Sequence, residues 1–537
     1  MSDRSTPRPR VGRRRFLRAV GAGTAALAAA TGPVSAHEWS GATSDTSTEG
    51  DHDHGDATLH GASSNVELVG YHSLGGVGPA SESGSPDSPH YGAITELRVR
   101  GDYAYVGVFS SDDPTNDRGM AILDVSEFNA AGTPRELREA ELSVVSFLRN
   151  DNPASAVMDV KVSDDGRYAF LSKQPYTALF EETDPTPGTD GESASVSASA
   201  LQAVDVSDPA HPRVVGTYDA WDTGPHNATY HRIRGREYLF AVKDLNDGTA
   251  GLYVFEFDRA TGAILPVNRW TVDGNLPSVG DGGLTYVHDV TVQDDPRLGV
   301  PVGYLSYWDA GLYALDLSDP TDVSVLGHYS MNAAHYAESA PAFVDGTRVV
   351  VAGQEISSVA DGSSGKLYLL DADGLDDGFD GEDNVERLAE WEWRSNVTFE
   401  NFTLSPHNFQ VTADGYVHLG HYHGGTRFLE IERDPWALTE RGYFRRARDV
   451  PEASKMEGLN SAAPFTWCAV EHEGVTYAAD VNTGVYALRF APDSGGDLKG
   501  AGVGAVAAGI AGLGGLLYRR GSDARGAPSG PFDRGWR

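Results

Sequence analysis

Short apolar segments ending at Asp, Ser or Pro recur seven times along the chain: GMAILDVSEF from Gly119, LQAVDVSDPA from Leu201, GLYVFEFDRA from Gly251, GLYALDLSDP from Gly311, KLYLLDADGL from Lys366, TRFLEIERDP from Thr426 and GVYALRFAPD from Gly484. Apolar and aromatic residues in this pattern favour a pleated strand, and the polar residues that follow close a turn through their own backbone bonds. Several copies lead into a further strand, as in RVVGTYDA from Arg213, SVLGHYSM from Ser324 and ERGYFRRA from Glu440. Two more usually precede each copy, for example VMDVKVS from Val157 and YAFLSKQ from Tyr168. Four strands per repeat, roughly 60 residues apart, predict an all-β, seven-bladed β-propeller of four-stranded blades.

The pattern also predicts how the ring closes. The seventh copy ends at Phe490 with no outer strand after it, whereas an unaccompanied strand of that kind, NVELVGYHSL from Asn65, precedes blade one. The N-terminal strand is therefore expected to complete the last blade, joining both ends of the domain in one sheet.

The GLxxLDLSDP segment with its following VxGxY strand resembles the LVIVD-repeat β-propellers, found among other places in extracytoplasmic proteins of haloarchaea. The resemblance spans about residues 65–493 and is clearest at Leu201 and Gly311. It implies a fold, not an activity.

The flanking segments predict where the propeller works. Arg13, Arg14, Arg15, Phe16 and Leu17, the apolar stretch Ala19 to Ala30 and the small residues Val34-Ser35-Ala36 read as a twin-arginine export signal over residues 1–36. Residues 501–518 carry no charge and are followed by Arg519 and Arg520. That is just long enough for a transmembrane helix, with residues 519–537 on the cytoplasmic side and the propeller outside. Between these lie a polar linker at 37–64, the propeller at 65–493 and a short linker at 494–500. Composition fits: the formal net charge is -35, and only six of 42 basic residues are lysine. Such an acidic surface suits very high salt, where screening removes self-repulsion, and it excludes nucleic acid as a partner because no basic stripe exists to meet phosphates. The single cysteine, Cys468, leaves no intrachain disulfide, so stability must come from burial in a large domain.

Two acidic segments are candidate ion sites. His52 and His54 within DHDHGD read first as part of a solvated linker. The run from Asp371 to Asn384, DADGLDDGFDGEDN, alternates carboxylates and glycines as a calcium loop does, without EF-hand spacing; a solvated loop is the competing reading.

The main chemical signal is a histidine that opens the innermost strand of three blades: His226-Asn227, His288-Asp289 and His407-Asn408. Innermost strands converge on the propeller axis, so imidazoles distant in sequence would meet in one volume. Neutral imidazoles suit zinc, copper or iron, and His335 or Glu338 of blade five could add a further ligand. In blade five the equivalent position is expected near Glu338 or Ser339. Loops after the second strand of each blade should rim the same mouth, bringing Lys243, Trp308, Gln354, Glu355, His421 and His423 to a ligand site. His421 and His423, two apart, share one side of their strand. His231 and His418 read as structural, and Cys468 as core.

Two functions remain open from the sequence. One is a cell-surface propeller, anchored by its C-terminal helix, that binds a protein, glycan or small-molecule ligand on one face and holds an axial metal. The other is a metal-dependent oxidoreductase: propellers with axial histidine-bound metal include the carotenoid oxygenases and the selenium-binding, methanethiol-oxidising family, and the latter resemble this chain in blade count.

Overall fold

The computed structural model describes residues 61–74, 93–110, 118–152, 155–175, 199–221, 224–243, 250–272, 287–355, 364–393, 405–445, 464–481 and 483–492. Residues 1–60, which hold the expected export signal and most of the polar linker with His52 and His54, and residues 493–537 lie outside them. Among the described residues no helix is long and apolar enough to cross a membrane.

The strands form seven four-stranded antiparallel sheets, six of them built from four consecutive strands. Blades one to six span residues 93–149, 155–218, 228–270, 289–329, 334–391 and 409–444. Blade seven consists of β26 (Thr466–His472), β27 (Val475–Asp480) and β28 (Gly484–Phe490), completed by β1 (Val66–His72). Val66 faces Phe490 and His72 faces Val485 across that seam, so the ring is closed by the N-terminal strand as the repeat pattern predicts.

The glycine that opens many of the repeated segments has a steric cause. Gly311, Gly425 and Gly484 have positive φ, and a Cβ on any of them would collide with the carbonyl oxygen of Tyr329, Phe444 or His72 at the end of the adjoining outer strand. In blade seven that outer strand is β1, so the closure reproduces the contact made within ordinary blades.

Cores lie between blades as well as within them. Phe240, Val242, Leu252 and Val254 of blade three pack in one buried cluster with Val290, Leu305, Tyr313 and Leu315 of blade four. Each such side chain contributes about 1.5–3 kcal/mol by leaving water, which makes rotation of one blade against the next costly and fixes the inner strands around the axis.

Two short helices, α1 (Ser126–Ala130) and α2 (Pro134–Glu139), interrupt the connection between the third and fourth strands of blade one. The sequence pattern did not point to them. The hydroxyl of Thr133 caps α2 by accepting from the Glu136 amide at 3.2 Å.

Arginines hold two carboxylates of the acidic run 371–384. Asp373 and Asp376 both accept from Arg297 Nη1 at 2.8 Å, and Asp376 also from Arg348 Nη2 at 2.7 Å. Asp383 pairs with Nδ1 of His328 at 2.5 Å. Opposite charges already meet these carboxylates, so the loop fastens blade five to blade four.

Candidate metal centre

Backbone pairing identifies which residues of different blades are equivalent. His226 and His407 donate their amides to Val242 and Gly420, and His288 donates its amide to Ser306, which also faces Asp289 across the sheet. Blade five differs by a bulge: Ala334 pairs with Gln354 and Tyr336 with Gly353, which leaves His335 between them at the place equivalent to His288. The equivalent residue is thus His335, not one near Glu338 or Ser339; the extra residue shifts the register that strict alternation would give.

Four consecutive blades therefore carry histidine at the same point. Their rings form an arc, with centroids 4.4 Å apart for His226 and His288, 4.0 Å for His288 and His335, and 4.2 Å for His335 and His407. His288 and His407 are 6.4 Å apart. All four side chains are buried.

A carboxylate completes the group. Glu355 Oε2 lies 3.6 Å from His288 Nε2 and 3.9 Å from His335 Nε2. His288, His335 and Glu355 are the one set of three or more His, Cys, Asp or Glu donors, among the described residues, close enough together to hold a metal ion. His226 Nε2 stands 3.2 Å from His288 Nε2. With bonds of about 2.1 Å to one ion, the two donor pairs of this set 3.6 and 3.9 Å apart subtend ~118° and ~136°. Those angles belong to four- and five-coordinate sites.

The protonation pattern fits an ion. His407 Nδ1 donates to the Trp467 carbonyl at 2.8 Å, which leaves Nε2 with its lone pair. His226 Nδ1 meets Gln174 Oε1 at 3.3 Å, with the same result. Both ring nitrogens of His335 are fully buried and have no hydrogen-bond partner among the described residues, a cost that coordination would remove. Burial, reinforced by the neighbouring imidazoles, holds the pKa values of His288 and His335 well below the usual value, and burial lowers that of His407 to about 3. These rings are neutral, as ligands must be. Burial pushes the Glu355 carboxyl up to about 7, against a hydrogen bond from Tyr422 that favours its ionised form.

The loops after the second strands obey a parity rule that sequence reading applied to the wrong set. Ser172, Ser306, Gly353 and Gly420 are equivalent, facing Leu201, Leu312, Leu367 and Thr426. One residue further on, side chains turn away from the axis. Lys173 bonds Asp151 at 2.7 Å, Gln354 bonds Asn332, and His421 lies edge-on to Trp391 and Trp393. Lys243 has the same register and is buried. His423 packs edge-on against Phe465. Two residues further on, side chains reach the histidines: Gln174 at His226, Trp308 with its ring 5.9 Å from His288, Glu355, and Tyr422 with its ring 4.8 Å from His407. Of the expected rim, Lys243, Gln354, His421 and His423 are accordingly not at the axial group, whereas Trp308 and Glu355 are. Gln174 and Tyr422 were missed, although strand alternation from Trp308 would have found both.

A second tier of charged groups follows along the inner strands. Glu96 pairs with Arg98 and Asp159 with Lys161. Asn408 donates to Glu96 at 2.8 Å, and Asn227 donates to Asp289 at 2.7 Å and to the His288 carbonyl at 3.1 Å, so the residues after the histidines tie neighbouring inner strands together. Glu338 belongs to this tier and not to the histidine group: its charged neighbours are Arg98 and Glu96. Cys468 is buried in the apolar core, where its Sγ accepts from the Leu97 amide at 3.3 Å. His231 and His418 make local contacts with Asp294 and Thr476.

A family model for the LVIVD repeat matches residues 92–128 and 196–220. Both stretches are LVIVD repeats. The matched stretches lie in blades one and two of this seven-bladed LVIVD propeller. Similar solved structures include a putative 6-phosphogluconolactonase from Bacteroides fragilis (10% identity, TM-score 0.42, covering 74% of this chain and 98% of that one). The Pseudomonas aeruginosa periplasmic gluconolactonase PpgL is 11% identical, with a TM-score of 0.42 over 63% of this chain and 82% of that one. Saccharomyces cerevisiae Sqt1 is 10% identical, with a TM-score of 0.44 over 76% and 85%. At such identities and scores nothing about activity carries over. No curated protein matches the chain.

Proposed function

We propose that this LVIVD-repeat protein is an exported, membrane-tethered propeller whose functional centre is a transition-metal ion held at the axis by His288, His335 and Glu355, with His226 and His407 completing the arc. The observation that carries the reading is His335: a fully buried imidazole with neither nitrogen hydrogen-bonded, one carboxylate oxygen 3.9 Å away, and equivalent histidines on both sides. A nitrogen-rich set with one carboxylate suits zinc, copper or iron over magnesium or calcium. Export and tethering are supported by the paired arginines at Arg13 to Arg15 and by the uncharged stretch 501–518.

Metal analysis of the purified full chain tests the centre. About one transition ion per chain is expected, lost in His288→Ala, His335→Ala and Glu355→Ala. Wild-type protein that binds no zinc, copper or iron after stripping and reloading would sink the reading. The metal-dependent oxidoreductase is favoured by the aromatic shell of Trp308, Tyr422 and Trp467 around the histidines, which limits water at the ion. An ion that cycles between two oxidation states on reductive titration would select it over a binding module.

A further inference from the structure

Tyr422 enters the centre without being a ligand. Its hydroxyl donates to Glu355 Oε1 at 2.5 Å, a length typical of a hydroxyl on an ionised carboxylate. The other oxygen, Oε2, is the one within reach of His288 and His335. The carboxylate is thus divided, one oxygen for the tyrosine and one for the histidine side.

That division is built into the packing. The Tyr422 ring stacks on Phe465 with centroids 4.2 Å apart and lies 4.8 Å from His407. Its carbonyl accepts from the amides of Gly425 and Thr466 at 3.1 and 3.0 Å, and the Glu355 amide donates to Ala333 at 3.1 Å. The ring contacts hold Tyr422 in this orientation, so its hydroxyl stands at a fixed point beside Oε1.

We propose that Tyr422 is a specificity-determining residue of the metal centre: by occupying Oε1 it restricts Glu355 to a single coordinating oxygen and so biases the site toward transition ions and against calcium. The inference rests on the reading that His288, His335 and Glu355 hold a metal. Calcium seeks six to eight oxygens and commonly takes both oxygens of a carboxylate, whereas zinc-like ions accept one oxygen among nitrogens. A carboxylate with one oxygen already committed serves the second class.

The test uses the full chain, stripped of metal and titrated with zinc or calcium alone against a chromophoric chelator, for wild type and Tyr422→Phe. Phenylalanine keeps the stacking and removes the hydroxyl. Zinc affinity should fall about 10–100-fold in the variant, the range for loss of a group that orients a ligand, and the preference for zinc over calcium should narrow. Infrared spectra of the zinc-loaded wild type should show Glu355 bound through one oxygen, identified by bands absent in Glu355→Gln; in Tyr422→Phe the splitting of those bands should decrease as both oxygens bind. Unchanged affinities and bands in the variant overturn the proposal while leaving the metal centre standing. Two-oxygen binding in the wild type overturns it whether or not the variant folds. A wild type that binds no zinc removes the centre itself and this inference with it.

Discussion

Replacing Glu338 by Gln probes how dry the propeller axis is. Burial pushes the Glu338 carboxyl up to about 8, although Arg98 opposes the shift. The folded state therefore holds a proton that the unfolded chain, with an ordinary carboxyl, has already released. Between about pH 4.5 and 8 the native state binds more protons, so Glu338 costs nothing below that window and lowers stability progressively as pH rises through it. At about 1.4 kcal/mol per pKa unit the full difference would be ~5 kcal/mol. The side chain retains partial exposure to the channel, and solvent screening reduces the figure; about 2 kcal/mol is the expected cost.

Glu338→Gln should accordingly match wild type at about pH 5 and exceed it by ~2 kcal/mol at about pH 9, where the wild-type carboxylate must be charged inside the channel. Urea unfolding of both proteins at the two pH values, in the same salt, measures the difference through the midpoint at constant slope. Parallel behaviour across the range would show that Glu338 titrates as in water and that the channel is wet. A variant less stable than wild type at the higher pH would show instead that ionised Glu338 is a net partner of Arg98. Either result would refute the reasoning.

Two further outcomes follow from buried polar groups elsewhere. Arg348 is fully buried, with Asp295 at 2.5 and 3.1 Å, Asp376 at 2.7 Å and the Ala372 carbonyl at 2.7 Å, so Arg348→Met should cost about 3–5 kcal/mol in chemical denaturation by stranding Asp295. His421 is buried between Trp391 and Trp393 with neither ring nitrogen hydrogen-bonded among the described residues, and burial together with Arg427 holds its pKa well below the usual value. His421→Phe should raise stability by about 1 kcal/mol and leave metal content unchanged; loss of metal would place this histidine back in the centre.

The blade count, the closure through Val66–His72 and the axial histidines of blades three, four and six were legible because each rests on period: apolar alternation gives strands, and a shared turn pattern gives register; His335 was named as a further ligand, but without its register. What escaped was local departure from period. The bulge at His335 moves the blade-five equivalent away from Glu338, and a single extra residue leaves no mark in composition. The parity of the second-strand loops was legible in principle, since Trp308 and Glu355 were both singled out and Tyr422 occupies the same position. The histidines at 421 and 423 drew attention by residue type, though they flank the axial residue. The arginine contacts of the acidic loop escaped for another reason: the partners, Arg297 and Arg348, lie 28 to 79 residues away in sequence, and no local pattern shows such pairing.

The same period explains how a site of this kind can sit in a propeller without weakening it. Each blade contributes one or two side chains to the axis, and the fold does not depend on what they are: at the position of the four histidines, blade two has Met158 and blade seven Trp467, on strands paired like the others. Closure resides in β1 and the inter-blade cores, away from that position. Buried imidazoles in an arc are costly only while their nitrogens lack partners, and that cost is largest at His335, where neither ring nitrogen has one among the described residues. The bulge itself is shared with blades two and seven, where it carries Met158 and Trp467, so what sets blade five apart is the residue on it: an imidazole with no hydrogen-bond partner beside Glu355 gains nothing for packing, and the proposed ion shared with that carboxylate would supply the missing partner.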